Sequence, residues 1–249
     1  MKSVPMSLLG LTLLAGVLAV TPARADPASC EVPAYLLLTE SPLPRVEDAI
    51  KGGRPLEILV VGSRSSSIAA SEVSAWPARL QARLRERLKV AVNVSVELQV
   101  KKTAEEVAAG LVKLVEGKKP ALVIWQTGTY DAMRSIDPED FRAAVGEGVA
   151  ALKEAGADVV LMNLQYSPRT ETMISAQPYL DNMRVAAQQY DVPLFDRFAI
   201  MRHWSDQGDF DLFGAGHGLD LAKRVHGCIG RVLAKFVVEA ARIEPAQQN

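Results

Sequence analysis

Apolar positions along this chain change their period repeatedly, and each change marks an element. Leu56 to Val61 is a continuous apolar run, the pattern of a strand buried on both faces. From Pro77 to Leu88 the leucines at 80, 84 and 88 recur every fourth position, which predicts an amphipathic helix with proline in its first turn. Val90 to Val100 alternates with period two and reads as a strand. Thr103 opens a helix to Glu116 with a Thr-x-x-Glu capping box. Ala121 to Trp125 is a further buried strand. Asp137 and Pro138 then start a helix that runs to about Ala155 and stops at Gly156. Val159 to Met162 and Val192 to Phe195 read as strands, and Gln177 to Tyr190 and Ala222 to Ile243 as helices. Five strands alternating with helices predict an α/β fold. The expected architecture is three-layered and flavodoxin-like, a five-stranded parallel sheet in the order 2-1-3-4-5 with helices on both faces. In such sheets, sites lie beyond the carboxyl ends of the strands, which singles out the loops 62–67 and 128–131 and the segment before the last helix.

The ends of the chain read differently. Lys2, an apolar run from Met6 to Val20 and Ala23-Arg24-Ala25 form a secretory signal with cleavage near Ala25. The apolar run is short of the roughly 20 residues that span a bilayer, so no transmembrane anchor is expected. The expected division is a signal peptide at 1–25, a Pro-rich arm at 26–55, one domain at 56–243 and a polar tail at 244–249. Export predicts a periplasmic or extracellular protein. In that setting an even cysteine count predicts a bridge between Cys30 and Cys228; two separate buried thiols are the alternative. A net charge of -1 with mixed signs argues against nucleic-acid binding. The chain has no glycine-rich nucleotide loop, and its three histidines lack ligand spacing, so no cofactor and no metal are expected.

The segments VVGSRSSS (Val60 to Ser67), WPARL (Trp76 to Leu80), VIWQTGTYD (Val123 to Asp131), GADVVLM (Gly156 to Met162) and Gly218 to Leu233 occur in the order of the SGNH/GDSL esterases, which the chain resembles from about Leu56 to Leu233. The resemblance implies the fold above and carboxylic ester hydrolysis as the ancestral chemistry. It also implies changed catalytic positions. Counting from Gly62, the nucleophile position falls on Arg64, flanked by Ser63 and Ser65. A guanidinium offers no nucleophilic lone pair. The oxyanion position of the second block falls on Lys101 or Val100. The third block, Gly-x-Asn-Asp in the family, reads Gly128-Thr129-Tyr130-Asp131. The last block reverses its Asp-x-x-His: the base position is Asp220 and the orienting carboxylate position is His217.

Serine hydrolysis needs an activated hydroxyl, a base, a group orienting that base and donors for the oxyanion. Ser63 or Ser65 with His217 and Asp220 form one candidate catalytic set, reached by rotating a loop. Arg64, Lys101, Gly128, Tyr130 and Asp131 form a candidate ligand or oxyanion surface. The blander readings are turn serines, a local His217–Asp220 hydrogen bond, Trp125 and Tyr130 as core and rim aromatics, and His203 and His226 as surface or satisfied helix residues. Together they predict an exported, catalytically impaired, esterase-like protein that binds a small molecule, a glycan or a protein partner. The alternative is an active esterase or deacylase with a rearranged Ser/His/Asp site.

Overall fold

The structure, a computed structural model, describes residues 1, 30–69, 71–212 and 218–243. The signal segment, the polar tail and His217 lie outside the described residues. In chain order the elements are α1 (Pro44–Lys51), β1 (Leu56–Gly62), α2 (Trp76–Arg87), β2 (Val92–Leu98), α3 (Ala104–Glu116), β3 (Leu122–Gln126), α4 (Thr129–Met133), α5 (Pro138–Glu154), β4 (Asp158–Met162), α6 (Pro168–Met173), α7 (Gln177–Gln189), β5 (Leu194–Phe195), α8 (Arg197–Asp206) and α9 (Gly218–Ala240). All strand pairs are parallel, in the order β2-β1-β3-β4-β5. The predicted sheet is therefore the observed one.

Burial follows the sequence pattern. β3 and β4 are buried at every position, as continuous apolar runs require. β2 lies at the sheet edge and keeps only Val92 fully inside. Helices α3, α5 and α7 pack in a row, while α2 packs on α9, and α1 meets both β1 and β4. The Thr103 capping box forms as predicted, with Glu106 reaching back to the Thr103 N–H. Asp137 caps α5 by accepting from Glu139 N at 2.8 Å.

Four helices carry structure that periodicity does not announce. In the N-terminal arm, α1 buries Val46 and Ala49 and is held by Asp158, whose carboxylate accepts from Val46 N at 3.0 Å. Asp158 is itself buried, and that burial pushes its pKa up to about 6. Helices α4 and α6 are too short for an apolar repeat to register. In α8, Asp196 is the N-cap, accepting from Ala199 N at 3.0 Å. The predicted pairing of Cys30 with Cys228 is present and ties the start of the described chain to the middle of α9. Among the described residues no helix is long and apolar enough to cross a membrane.

Gly62 ends β1 where the chain must turn tightly. A Cβ there would lie 2.2 Å from Ser66 Oγ and 2.9 Å from Ser66 Cβ. Gly62→Ala is expected to push Ser66 off its partner Gln126 and cost about 1–3 kcal/mol. Gly110 on α3 has open space around its Cβ position, so Gly110→Ala serves as a control that is neutral or stabilising by up to ~1 kcal/mol. Denaturant midpoints check both. Equal midpoints for Gly62→Ala and the unaltered protein would show that the turn is not tight.

Candidate functional site

The strand order reverses between β1 and β3, and the polar groups of the chain converge there. Ser63 follows β1, and Gln126 is the last residue of β3. The chain after Gly62 forms a single 3-10 turn, Arg64–Ser66, with Ser63 as its N-cap. That turn presents Arg64 to solvent, half-buries Ser63 and Ser65, and buries Ser66. Counting residues predicts Arg64 at the nucleophile position. In the folded turn the hydroxyl of Ser65 occupies the polar cluster instead, and the Arg64 side chain is exposed.

A second arginine reaches the cluster from far along the chain. Arg197, at the start of α8, is fully buried. Its Nη1 donates to Ser65 Oγ at 3.0 Å, and its Nη2 donates to Ser65 O at 3.3 Å and to Gln165 Oε1 at 3.0 Å. One residue, Asn163, holds the start of α8 in place: its Oδ1 accepts from Phe198 N at 2.9 Å, and its Nδ2 donates to Asp196 at 2.7 Å. No carboxylate among the described residues pairs with Arg197, and burial pulls its pKa down to about 9. It remains a cation at neutral pH.

Gln126 completes the arrangement. Its Oε1 accepts from the buried Ser66 hydroxyl, which orients the amide. Its Nε2 then donates to Ser65 Oγ at 2.8 Å and to Ser63 Oγ at 3.0 Å. Gln126 and Arg197 thus engage both acceptor sites of the Ser65 hydroxyl. The Ser65 proton is left to donate, and Ser63 Oγ lies 3.1 Å away. Ser63 Oγ also faces Ser65 N at 3.3 Å. One polar network thus joins the buried cation, Ser65 and Ser63.

The remaining sequence-predicted residues divide. Lys101, with a left-handed φ of 60°, lines a narrow cleft together with Ser63, Gln126, Gly128 and Tyr130. Gly128 has a φ of 98°, and a Cβ there would lie 2.7 Å from Leu164 Cδ1, so both backbone shape and space call for glycine. The Arg134 guanidinium sits 5.8 Å over the Tyr130 ring. Asp131 turns inward: it is 1% exposed, accepts from Ala104 N at 2.8 Å and has its pKa raised by burial. That contact joins α4 to the first turn of α3. Asp220 lies in the first turn of α9 with its side chain 92% exposed and Lys223 Nζ at 3.9 Å. Trp125 is fully buried, and His203 is partly exposed on α8.

His226 is a core residue. Its Nδ1 accepts from Trp76 N at 3.0 Å, which leaves its proton on Nε2. Burial, followed by the charge of Arg197, lowers its pKa to about 3. A neutral imidazole so committed is a structural acceptor. Among the described residues no group of histidine, cysteine and acidic side chains could hold a metal ion.

Sequence reasoning missed Gln126, Gln165 and Arg197. Two signals were available: a glutamine ending an otherwise apolar buried strand, and an arginine set between Phe195 and Phe198 directly after a capping aspartate.

Comparison with known proteins supports the fold. The model of the "Non-GDSL lipase-like family" matches residues 29–243. No curated protein matches the chain in sequence. Among solved structures, TesA is 22% identical with a TM-score of 0.56, covering 72% of this chain and 99% of its own. A catalytic mutant of Axe2, an acetylxylan esterase from Geobacillus stearothermophilus, is 16% identical with a TM-score of 0.58, covering 78% and 97%. AlinE4, an SGNH-hydrolase family esterase, is 19% identical with a TM-score of 0.51, covering 66% and 86%. At these identities the likeness is one of fold.

Proposed function

The chain belongs to the non-GDSL lipase-like family, and from that premise we propose that it is an exported, catalytically impaired SGNH-type protein that binds a ligand at the carboxyl edge of its sheet. The observation that carries this reading is the state of Ser65. A serine nucleophile must present a lone pair to the carbonyl carbon while a base takes its proton. Here Gln126 and the Arg197 cation donate to the oxygen, and the nearest hydroxyl acceptor is Ser63. Loss of a working serine–base pair costs on the order of 10⁴–10⁶ in rate. The signal-like N-terminus and the Cys30–Cys228 bridge support export.

The rearranged esterase reading needs His217 and Asp220 to assemble on Ser65. The 92% exposure of Asp220 and its proximity to Lys223 speak against it. Any activity retained by such a site would be carboxylic ester hydrolysis. Steady-state assays with short-chain p-nitrophenyl esters on the mature chain test the proposal. The expected rate is within about tenfold of a Ser65→Ala control. Turnover that disappears in both Ser65→Ala and His217→Ala would refute impairment.

A further inference from the structure

We propose that the cleft between the Ser63 turn and α4 is a binding site for a carboxylate group, an inference that rests on the ligand-binding reading above and names its ligand class. The cleft is lined by Ser63, Gln99, Lys101, Lys102, Gln126 and Tyr130, among other residues. Its volume is about 30 Å³, where a single water needs roughly 10–15 Å³. A space of this size suits a small terminal group, with the body of its ligand outside.

Charge and proton direction select the kind of group. Both charged residues lining the cleft are lysines. Behind it lies Arg197, fully buried and unpaired with any carboxylate among the described residues. Burying such a charge is costly unless an opposite charge offsets it. Its hydrogen bond to Ser65, and the contact of Ser65 with Ser63, pass that polarisation outward. Ser63 Oγ accepts from Gln126 Nε2 and from the Ser65 backbone N–H, so its own proton is left to donate into the cleft that it lines. Two lysines at the cleft and a hydroxyl donor at its wall favour an acceptor that carries negative charge. A carboxylate is such a group, and one that a larger ligand can present at its end. Glu106, in the first turn of α3, is occupied by the Thr103 N–H and an ion pair with Arg134 at 3.8 Å.

Isothermal titration of the mature chain with sodium acetate, against acetamide as the neutral isostere and sodium chloride at equal ionic strength, tests the site. Acetate is expected to bind saturably with a dissociation constant on the order of millimolar, as suits so small a ligand. Acetamide is expected to bind at least about tenfold more weakly. Ser63→Ala should weaken acetate about tenfold or more, and the exposed Lys101→Met about fivefold. Arg197→Gln should weaken it too; if that variant does not fold, Ser63→Ala and Lys101→Met carry the test alone. Equal responses to acetate, acetamide and chloride, or acetate binding unchanged in both Ser63→Ala and Lys101→Met, would overturn the proposal. The two readings fail separately. Absent acetate binding in a protein without ester turnover removes the carboxylate site alone. Acetate binding in a protein that also hydrolyses esters removes impairment alone.

Discussion

Replacing Cys30 and Cys228 together by serine is expected to lower the stability of the fold by up to about 5 kcal/mol. The bridge closes a loop between residues 198 positions apart, with Cα atoms 5.1 Å from each other. In the chain-entropy account the stabilisation grows with the logarithm of loop length, and this loop spans most of the chain. Both cysteines are buried, Cys30 at 7% and Cys228 at 3% exposure, so the double variant also places two hydroxyls in the core. The bridge has a local task as well. It holds residue 30 against α9, and beside it Trp204 Nε1 donates to Glu31 O at 2.9 Å. Guanidinium unfolding with and without a reducing agent measures the effect. The midpoint should fall on reduction for the unaltered protein and stay put for the serine variant. A midpoint that ignores reduction would contradict the prediction.

The second large effect is a pair of opposed acid responses. His226 has a pKa of about 3 in the fold against about 6.5 for a free imidazole. Between these values the unfolded chain takes up a proton that the folded chain refuses, so stability falls as pH drops from about 6.5 to about 3. The shift corresponds to about 5 kcal/mol. Asp158 has the opposite sign. Its folded pKa of about 6 exceeds the ordinary 3.8, so the folded chain holds a proton that the unfolded chain has lost. Stability from this group therefore rises as pH drops from about 6 to about 3.8, by up to about 3 kcal/mol. Burial is the main cause for both groups. For Asp158 the backbone N–H groups of Val46 and Arg45 and the charge of Arg45 pull the other way, while Asp48 adds to the rise. For His226 the charge of Arg197 adds to the depression.

In the unaltered protein the two responses largely cancel between pH 6 and 4. The variants separate them. Asp158→Asn keeps an acceptor for Val46 N, should gain about 2 kcal/mol at pH 7.5 and should then lose stability steeply on acidification. His226→Leu removes the acceptor of Trp76 N, should cost about 1–3 kcal/mol at neutral pH and should lose less than the unaltered protein on acidification. Urea midpoints at half-unit pH intervals supply the comparison, and the other carboxylates drop out of the differences. Three parallel curves would contradict both assignments.

How much of this could be read from the chain depends on the range of the interaction. β3 and β4 were legible because four consecutive buried apolar residues in each, Leu122 to Trp125 and Val159 to Met162, leave an unbroken run, and α3 because Thr103 and Glu106 cap it within one turn. Both signals are local. Helix α1 was not legible: its N-terminal N–H group is capped by Asp158, 112 residues away. The site follows the same rule. The turn after Gly62 is a local motif, and its place at the carboxyl edge followed from strand order. Which hydroxyl enters the cluster depends on Gln126 and Arg197, 61 and 132 residues from Ser65. Counting from Gly62 therefore drew attention to Arg64, whereas the guanidinium that meets the serine comes from α8. His226 shows the limit for burial. It lies on a mixed helix, and only its packing against the start of α2 makes it a core acceptor.

Impairment requires that Ser65 be unable to act as a nucleophile. Intact-mass spectrometry after exposure of the protein to a fluorophosphonate measures this directly. The expected result is an unmodified mass, matching the Ser65→Ala variant. A stoichiometric adduct that maps to Ser65 and is lost in His217→Ala would contradict it.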